Sequence, residues 1–184
     1  MTPQSEIRDV IDACLDVAIR EGRNWSPREV PADMATGERE EYDPGSFLTR
    51  WIPTASRVSS SDISDVSVAL GIEVSDQYAA VLQHKHFMDL SVGDMKFFPH
   101  PSVGWQRKLV DHVLNGHPRR LLSDRGYFPF ARRDDWGLYC FHLDGRRLGS
   151  EHKIFSWDHD DPTAFFEVAT DLLAAMRQCR TQRT

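Results

Sequence analysis

Several features that identify common classes of protein are missing from this sequence. Its 184 residues include only three cysteines. These residues, Cys14, Cys140 and Cys179, lie far apart and form no C-x-x-C pair. A disulfide framework or a structural zinc site is therefore not expected. We expect each cysteine to behave as a small hydrophobic side chain in a reducing compartment.

The chain also lacks long apolar runs and an excess of positive charge. No segment approaches the roughly 18 to 20 uncharged apolar residues of a membrane span, and no basic region followed by an apolar run begins the sequence. We therefore predict a cytoplasmic protein without a membrane partner. The net charge of -6 disfavours direct binding of nucleic acid, whereas it would suit a basic protein partner. On charge alone, a mild acidity that keeps a cytosolic protein soluble is the better explanation.

Signatures of common enzymes are absent as well. The sequence contains no G-x-x-x-x-G-K-[ST], G-x-S-x-G, H-E-x-x-H or G-x-G-x-x-G motif. Its serine and cysteine residues have no recognisable base. The sequence therefore has no nucleotide-binding loop or standard hydrolase signature, and no cofactor is expected. Missing motifs are by themselves only modest evidence against an enzyme.

Apolar periodicity and capping residues predict the helices. They are expected over residues 2–22, 59–71, 75–86 and 161–176, with a helical or irregular stretch over 104–116. Thr2 and Ser75 are predicted N-caps, and Gly71 follows the end of the second helix. Asp161-Pro162 is predicted to begin the last helix, because a cap residue precedes a proline. Its apolar face would comprise Phe165, Phe166, Ala169, Leu172, Leu173 and Met176.

Short alternating segments predict the strands. They are expected over residues 95–98, 127–131, 137–143 and 153–157. Pro129 marks an edge or a bulge in the second of them. The fold class is therefore α+β, with a mixed, largely antiparallel sheet flanked by helices and an N-terminal helical extension.

Residues 23–57 have a different composition, with four prolines, two glycines and an acidic cluster. This composition predicts a connector. Its four aromatic residues exceed what a disordered linker carries, so we expect it to pack across the main domain. The predicted organisation is an N-terminal helix with a Pro/Gly-containing connector over residues 1–50, and one domain over residues 51–184.

Three linked blocks in the second half resemble a known family. They are Gly126-Tyr127-Phe128-Pro129-Phe130-Ala131, Asp135-Trp136-Gly137-Leu138-Tyr139-Cys140-Phe141, and Ile154-Phe155-x-Trp157-Asp158-His159-Asp160. With Trp51-Ile52-Pro53 and the Ser75-x-x-Tyr78 segment, their order and spacing resemble the SUKH superfamily, named in part after the Smi/Knr cell-wall synthesis regulators. Val74 stands where that family usually has proline, so the chain resembles a divergent member.

This resemblance implies a SUKH-like domain over residues 51–184 that acts by binding another protein. Many members are immunity proteins, which bind a cognate bacterial polymorphic toxin, often a nuclease, and block it in the cytoplasm. Other members are scaffold or regulatory interaction modules, and this alternative stays open. Neither use involves catalysis, and the sequence does not indicate an oligomeric state.

Loop carboxylates and an exposed aromatic residue are typical of recognition surfaces. The predicted partner-binding residues are Asp134, Asp135, Trp136, Asp158, His159 and Asp160. A competing hypothesis is a metal-dependent hydrolase in which His84 and His86 join the Asp158 to Asp160 cluster. Adjacent residues point in different directions, and His84 and His86 diverge if they end a helix. We therefore predict no metal site.

Overall fold

A computed structural model describes residues 2–133, 137–143 and 151–181 and shows the predicted α+β class. The helices are α1 (Pro3–Arg20), α2 (Ser60–Leu70), α3 (Asp76–Leu82), α4 (Trp105–Asn115) and α5 (Leu172–Thr181), with a 3-10 turn at Ser123–Arg125. The strands are β1 (Trp25–Ser26), β2 (Ala35–Asp43), β3 (Ser46–Trp51), β4 (Thr54–Ala55), β5 (Lys85–His86), β6 (Leu90–Val92), β7 (Met95–Phe97), β8 (Tyr127–Arg133), β9 (Gly137–His142), β10 (Lys153–Asp158) and β11 (Phe165–Ala169). Within the described ranges, no helix is long and apolar enough to cross a membrane.

The main sheet has six strands in the order β11-β10-β9-β8-β7-β6, and each neighbouring pair is antiparallel. Spatial order therefore follows chain order, as in a meander. The register between β8 and β9 shifts between Pro129 and Ala131. The predicted bulge at Pro129 is confirmed, because proline cannot donate a hydrogen bond to the neighbouring strand.

Helix α1 shares the core of this sheet. Thr2 caps it as predicted, and its buried residues include Ile7 and Ile11, both with no exposed area. On α3, the Tyr78 ring lies 5.9 Å from that of Phe130 on β8 and 5.0 Å from that of Phe141 on β9. Residues from both ends of the chain therefore contribute to one hydrophobic cluster.

The capped helices confirm local sequence signals. Ser59 accepts a hydrogen bond from the Asp62 N–H and Asp62 bonds back to the Ser59 N–H, a capping box that begins α2. Gly71 ends α2 in the left-handed conformation, with φ 68°. The prediction that α3 continues to His86 is wrong. It ends at Leu82, because Lys85–His86 forms strand β5 and pairs with β4.

The prediction of a helix beginning at Asp161-Pro162 is also wrong. Residues 165–169 form β11, which pairs with the otherwise open edge of β10. Asp161 instead accepts a hydrogen bond from the Thr163 hydroxyl at 2.9 Å, in a turn. The cap of α5 is Asp171, which accepts from the Ala174 N–H at 2.9 Å. Tertiary pairing thus overrides the helical spacing of the phenylalanines.

Part of the predicted connector has regular structure. Strands β1, β2 and β3 form a three-stranded antiparallel sheet in the order β1-β3-β2. Trp51, at the end of β3, is fully buried, and its carbonyl accepts a hydrogen bond from the Asn24 side chain at 2.6 Å. This small sheet is therefore anchored at its base. Met34 and Trp51 also belong to the hydrophobic core cluster, in agreement with the expected packing of the segment against the main domain.

Candidate functional site

Three of the six predicted partner-binding residues, Asp158, His159 and Asp160, lie in the part of the chain that the structure describes. Asp134, Asp135 and Trp136 lie outside the described residues. Asp158 ends β10, and the Asp160 N–H donates a hydrogen bond to its carboxylate at 3.0 Å. His159 lies between them, with Nε2 3.4 Å from the Asp160 carboxylate. The three residues form a turn at the end of the main sheet, and His159 and Asp160 are exposed.

This turn has some of the geometry of a cation site. Within the described ranges it is the one group of three acidic, histidine or cysteine residues whose ligand atoms all lie within 4.8 Å of one another. Its members are consecutive, so that one short exposed segment provides all three groups. The arrangement is that of a solvated polar turn, which a partner protein could contact.

The two histidines of the hydrolase hypothesis lie apart from that turn. His84 Nε2 is 2.9 Å from the Asp12 carboxylate on α1. His86 is buried, with its ring 4.7 Å from that of His100. Burial lowers the pKa of His86, and it lowers that of His100 to about 3. The structure therefore does not bring His84 and His86 together with the Asp158 cluster.

The end of α3 uses a different histidine. His100 Nε2 lies 2.8 Å from the carbonyl oxygen of Leu82, the last residue of the helix. The same carbonyl accepts a hydrogen bond from the Ser56 hydroxyl at 2.7 Å, so both of its partners are distant in sequence.

A surface that the sequence did not reveal is the hairpin formed by residues 35–51, here called the hairpin arm. Eight of the nine residues of β2 are exposed, and β2 is an edge strand of the small sheet. Tyr42 and Phe47 flank the turn at the tip and are 51% and 40% exposed. Large aromatic side chains with this exposure are the usual anchors of protein interfaces.

Charged side chains of the hairpin arm support its conformation and leave an acidic tip. Arg39 lies over the Phe47 ring at 4.7 Å, and Arg50 bonds to Glu38 at 2.9 Å. Glu41 accepts a hydrogen bond from the Gly45 N–H at 3.0 Å, which closes the turn. Among the described residues, the acidic groups without an ion-pair partner here include Glu40 and Asp43.

A weak signal for this hairpin exists in the sequence. Pro44-Gly45 is a turn dipeptide, and Tyr42 and Phe47 flank it at nearly equal spacing. Strand β2, however, reads Ala-Thr-Gly-Glu-Arg-Glu-Glu-Tyr-Asp, which has no alternation of apolar and polar residues. A strand that is exposed on both faces cannot be found by hydrophobic periodicity.

Comparisons with known proteins do not identify the chain. No protein-family model matches it, and no curated protein matches it.

Proposed function

We propose that this chain is a non-catalytic protein-binding domain of the SUKH immunity type, which neutralises a cognate bacterial toxin in the cytoplasm by covering it. Two observations support the proposal. One is the resemblance carried by the three sequence blocks between Gly126 and Asp160. The other, which carries the proposal, is the hairpin arm, because it presents exposed aromatic and acidic groups on an anchored scaffold.

The hairpin arm has the physical properties of a recognition element. Its base is fixed by the buried Trp51 and by the hydrogen bond from Asn24. The tip is closed by the contact between Glu41 and Gly45. A preorganised hairpin loses little conformational freedom on binding, so Tyr42 and Phe47 would contribute to affinity at low entropic cost. The edge of β2 also offers free backbone groups to a partner.

The charge of the hairpin arm indicates the chemistry of the partner. Over residues 35–51 there are four acidic residues, Glu38, Glu40, Glu41 and Asp43, and two arginines. The whole chain is also acidic, with a net charge of -6. A toxin domain that binds nucleic acid has a basic surface. Electrostatic attraction would then accelerate association and orient the acidic tip toward that surface.

The test uses the toxin-like domain encoded immediately upstream of this chain, where such a domain is present. Calorimetry should show a complex, and co-expression should protect cells. Tyr42→Ala and Phe47→Ala should each weaken binding by roughly 30-fold or more, the effect of removing an anchor residue. Phe166→Ala is the matched control, because Phe166 is a 62% exposed aromatic residue on the main sheet.

The same titration compares the two candidate surfaces. If the hairpin arm is the interface, Asp158→Asn and Asp160→Asn leave affinity unchanged within about twofold, as is usual for residues outside an interface. Loss of binding in these two variants alone would transfer the interface to the end of β10. If the neighbouring domain gave neither a complex nor protection, the immunity function would be wrong.

A further inference from the structure

A cleft lies between the small sheet, the β7 and β8 strands and helix α4. It consists of two adjoining hollows, each with a volume of about 230 Å³. The two hollows share five lining residues, which are Arg28, Met88, Phe98, Pro99 and His112. A concave site of this size is on the scale that accommodates a small molecule.

The cleft is basic although the chain is acidic. Arg28, Lys96, Lys108 and Arg132 line it, against two carboxylates, Asp89 and Asp111. The excess of two positive charges contrasts with the net charge of -6 for the chain. None of the four basic side chains forms an ion pair with a described residue, so their charge is available to a ligand.

Two of these basic residues are placed against each other. Lys96 on β7 is directly opposite Arg132 on β8 in the antiparallel register. Like charges at directly opposed positions destabilise a sheet. An anion between the two side chains would turn this repulsion into attraction. Positions that lower stability in this way are typical of binding sites.

Aromatic and apolar side chains line the same cleft. Trp25 and Phe97 line one hollow, and Phe98 and His112 line both. The His112 ring meets Phe98 edge-on, with centroids 4.0 Å apart. Its buried Nε2 has no hydrogen-bond partner among the described residues. Burial lowers the pKa of His112, and the nearby Arg132 and Arg28 lower it further.

We propose that this cleft binds a small phosphate-bearing ligand that also carries a flat ring, such as a nucleoside monophosphate. Arg132, Lys96 and Arg28 hold the phosphate, because guanidinium groups bind it through paired hydrogen bonds and ammonium groups neutralise it. The ring packs on the apolar and aromatic wall. A long nucleic acid fits less well, since the cleft has an excess of only two positive charges, too few to neutralise many phosphates.

This inference is independent of the proposed immunity function. The lining residues of the cleft all lie outside residues 35–51, whereas the protein interface is assigned to the hairpin arm. A variant of Arg132 therefore tests the cleft and leaves Tyr42 and Phe47 in place. Either proposal can fail while the other holds.

Ligand binding is tested by calorimetry on the purified chain at constant ionic strength. The probes are the ribonucleoside 5′-monophosphates, ribose 5-phosphate, adenosine and inorganic phosphate. We expect at least one monophosphate to bind with a Kd below about 1 mM, and at least tenfold more tightly than ribose 5-phosphate or adenosine. Arg132→Gln and Lys96→Gln should each weaken it at least tenfold, about the effect of one charge-assisted contact.

Arg133→Gln is the matched control. Arg133 is the next residue of β8, is exposed, and lies opposite Met95, on the other face from the cleft. It should change affinity less than about twofold, as expected for a charge that does not contact the ligand. Equal losses in Arg133→Gln and Arg132→Gln would overturn the site. Absence of saturable binding would overturn it too, as would a tighter affinity for a single-stranded oligonucleotide that increases with its length.

Thermal unfolding gives a readout that needs no ligand. In phosphate-free buffer, Lys96→Gln and Arg132→Gln should each raise the unfolding midpoint by about 1–3 °C, because they relieve the repulsion across the two strands. Arg133→Gln should not, since it has no charged residue opposite it. A lower midpoint in both cleft variants would show that the pair serves stability, and would contradict the proposal.

Discussion

The main sheet and the hairpin arm are both antiparallel, but their strands differ in how far they are exposed to solvent. Strand β8 has four consecutive buried residues, from Phe128 to Ala131, whereas β2 has eight consecutive exposed ones. Burial of apolar area provides most of the stability of a fold. The main sheet therefore determines whether the chain folds, and the hairpin arm can vary in sequence with little effect on folding. Recognition is expected on the region that folding constrains least.

The sharpest test of this comparison removes one phenylalanine from each region. Phe130 is 1% exposed and packs against Tyr78, Phe97 and Phe141. Phe130→Ala should lower the free energy of unfolding by about 3–5 kcal/mol. Phe47→Ala should lower it by no more than about 1 kcal/mol, the scale of its contact with Arg39. Urea denaturation measures both, and equal losses would contradict the division of roles.

A second comparison uses the glycines of two hairpin turns. Gly93 joins β6 to β7 with φ 64°, and an added Cβ would lie 2.0 Å from the Cys179 carbonyl oxygen. Gly45 has φ 78° at the tip of the hairpin arm, with nothing within 4 Å. Gly93→Ala should cost roughly 2–4 kcal/mol, from backbone strain and overpacking.

Gly45→Ala should lower the free energy of unfolding by about 1 kcal/mol. It introduces backbone strain at a positive φ, but the added Cβ meets no other atom within 4 Å. The two variants are compared by thermal and urea unfolding under identical conditions. A larger loss for Gly45→Ala would show that the turn of the hairpin arm is coupled to the core.

Acid sensitivity should also distinguish the regions. Burial and the neighbouring His86 lower the pKa of His100 to about 3, below the roughly 6.5 of an unfolded histidine. As the pH falls below about 6.5, His100 becomes protonated in the unfolded chain but stays neutral in the folded one. The stability that the neutral, buried His100 contributes is therefore present above pH 6.5 and is lost as the pH falls toward 3.

We expect a loss of about 1–2 kcal/mol between pH 7 and pH 5 from this residue. Denaturation by urea at each pH measures the total decline, to which His86, His112 and His117, whose pKa values are also lowered by burial, contribute in the same direction. His159→Gln is the control, since His159 lies in an exposed turn, and it should retain the decline. The hairpin arm contains no histidine, so its contribution should not change over this range. A flat profile for the unmodified protein would contradict the burial of His100.

Sequence reasoning succeeded where the determining contacts are local. The caps at Thr2 and Ser75 and the glycine at position 71 act within a few residues of themselves, so their positions could be read directly. The strands 127–133 and 137–142 were found because one buried stretch of each is strongly apolar.

The failures have a common physical origin, which is pairing over long sequence distances. Residues 165–169 have helical spacing and yet form a strand, because β10 offers an edge. The cleft could not be predicted either. Its residues Arg28, Lys96 and Arg132 are far apart in the sequence, and no motif or spacing links them. Of the predicted binding residues, Asp158, His159 and Asp160 form one turn, and their part in binding stays a prediction.

The contact between helices α1 and α5 has a consequence for the kinetics of folding. Glu6 on α1 bonds to Arg177 on α5 at 2.7 Å, across 171 residues of chain. Closing a loop of this length costs conformational entropy before the contact can form. Contacts between residues so distant in sequence slow folding, so we expect α1 and α5 to meet late.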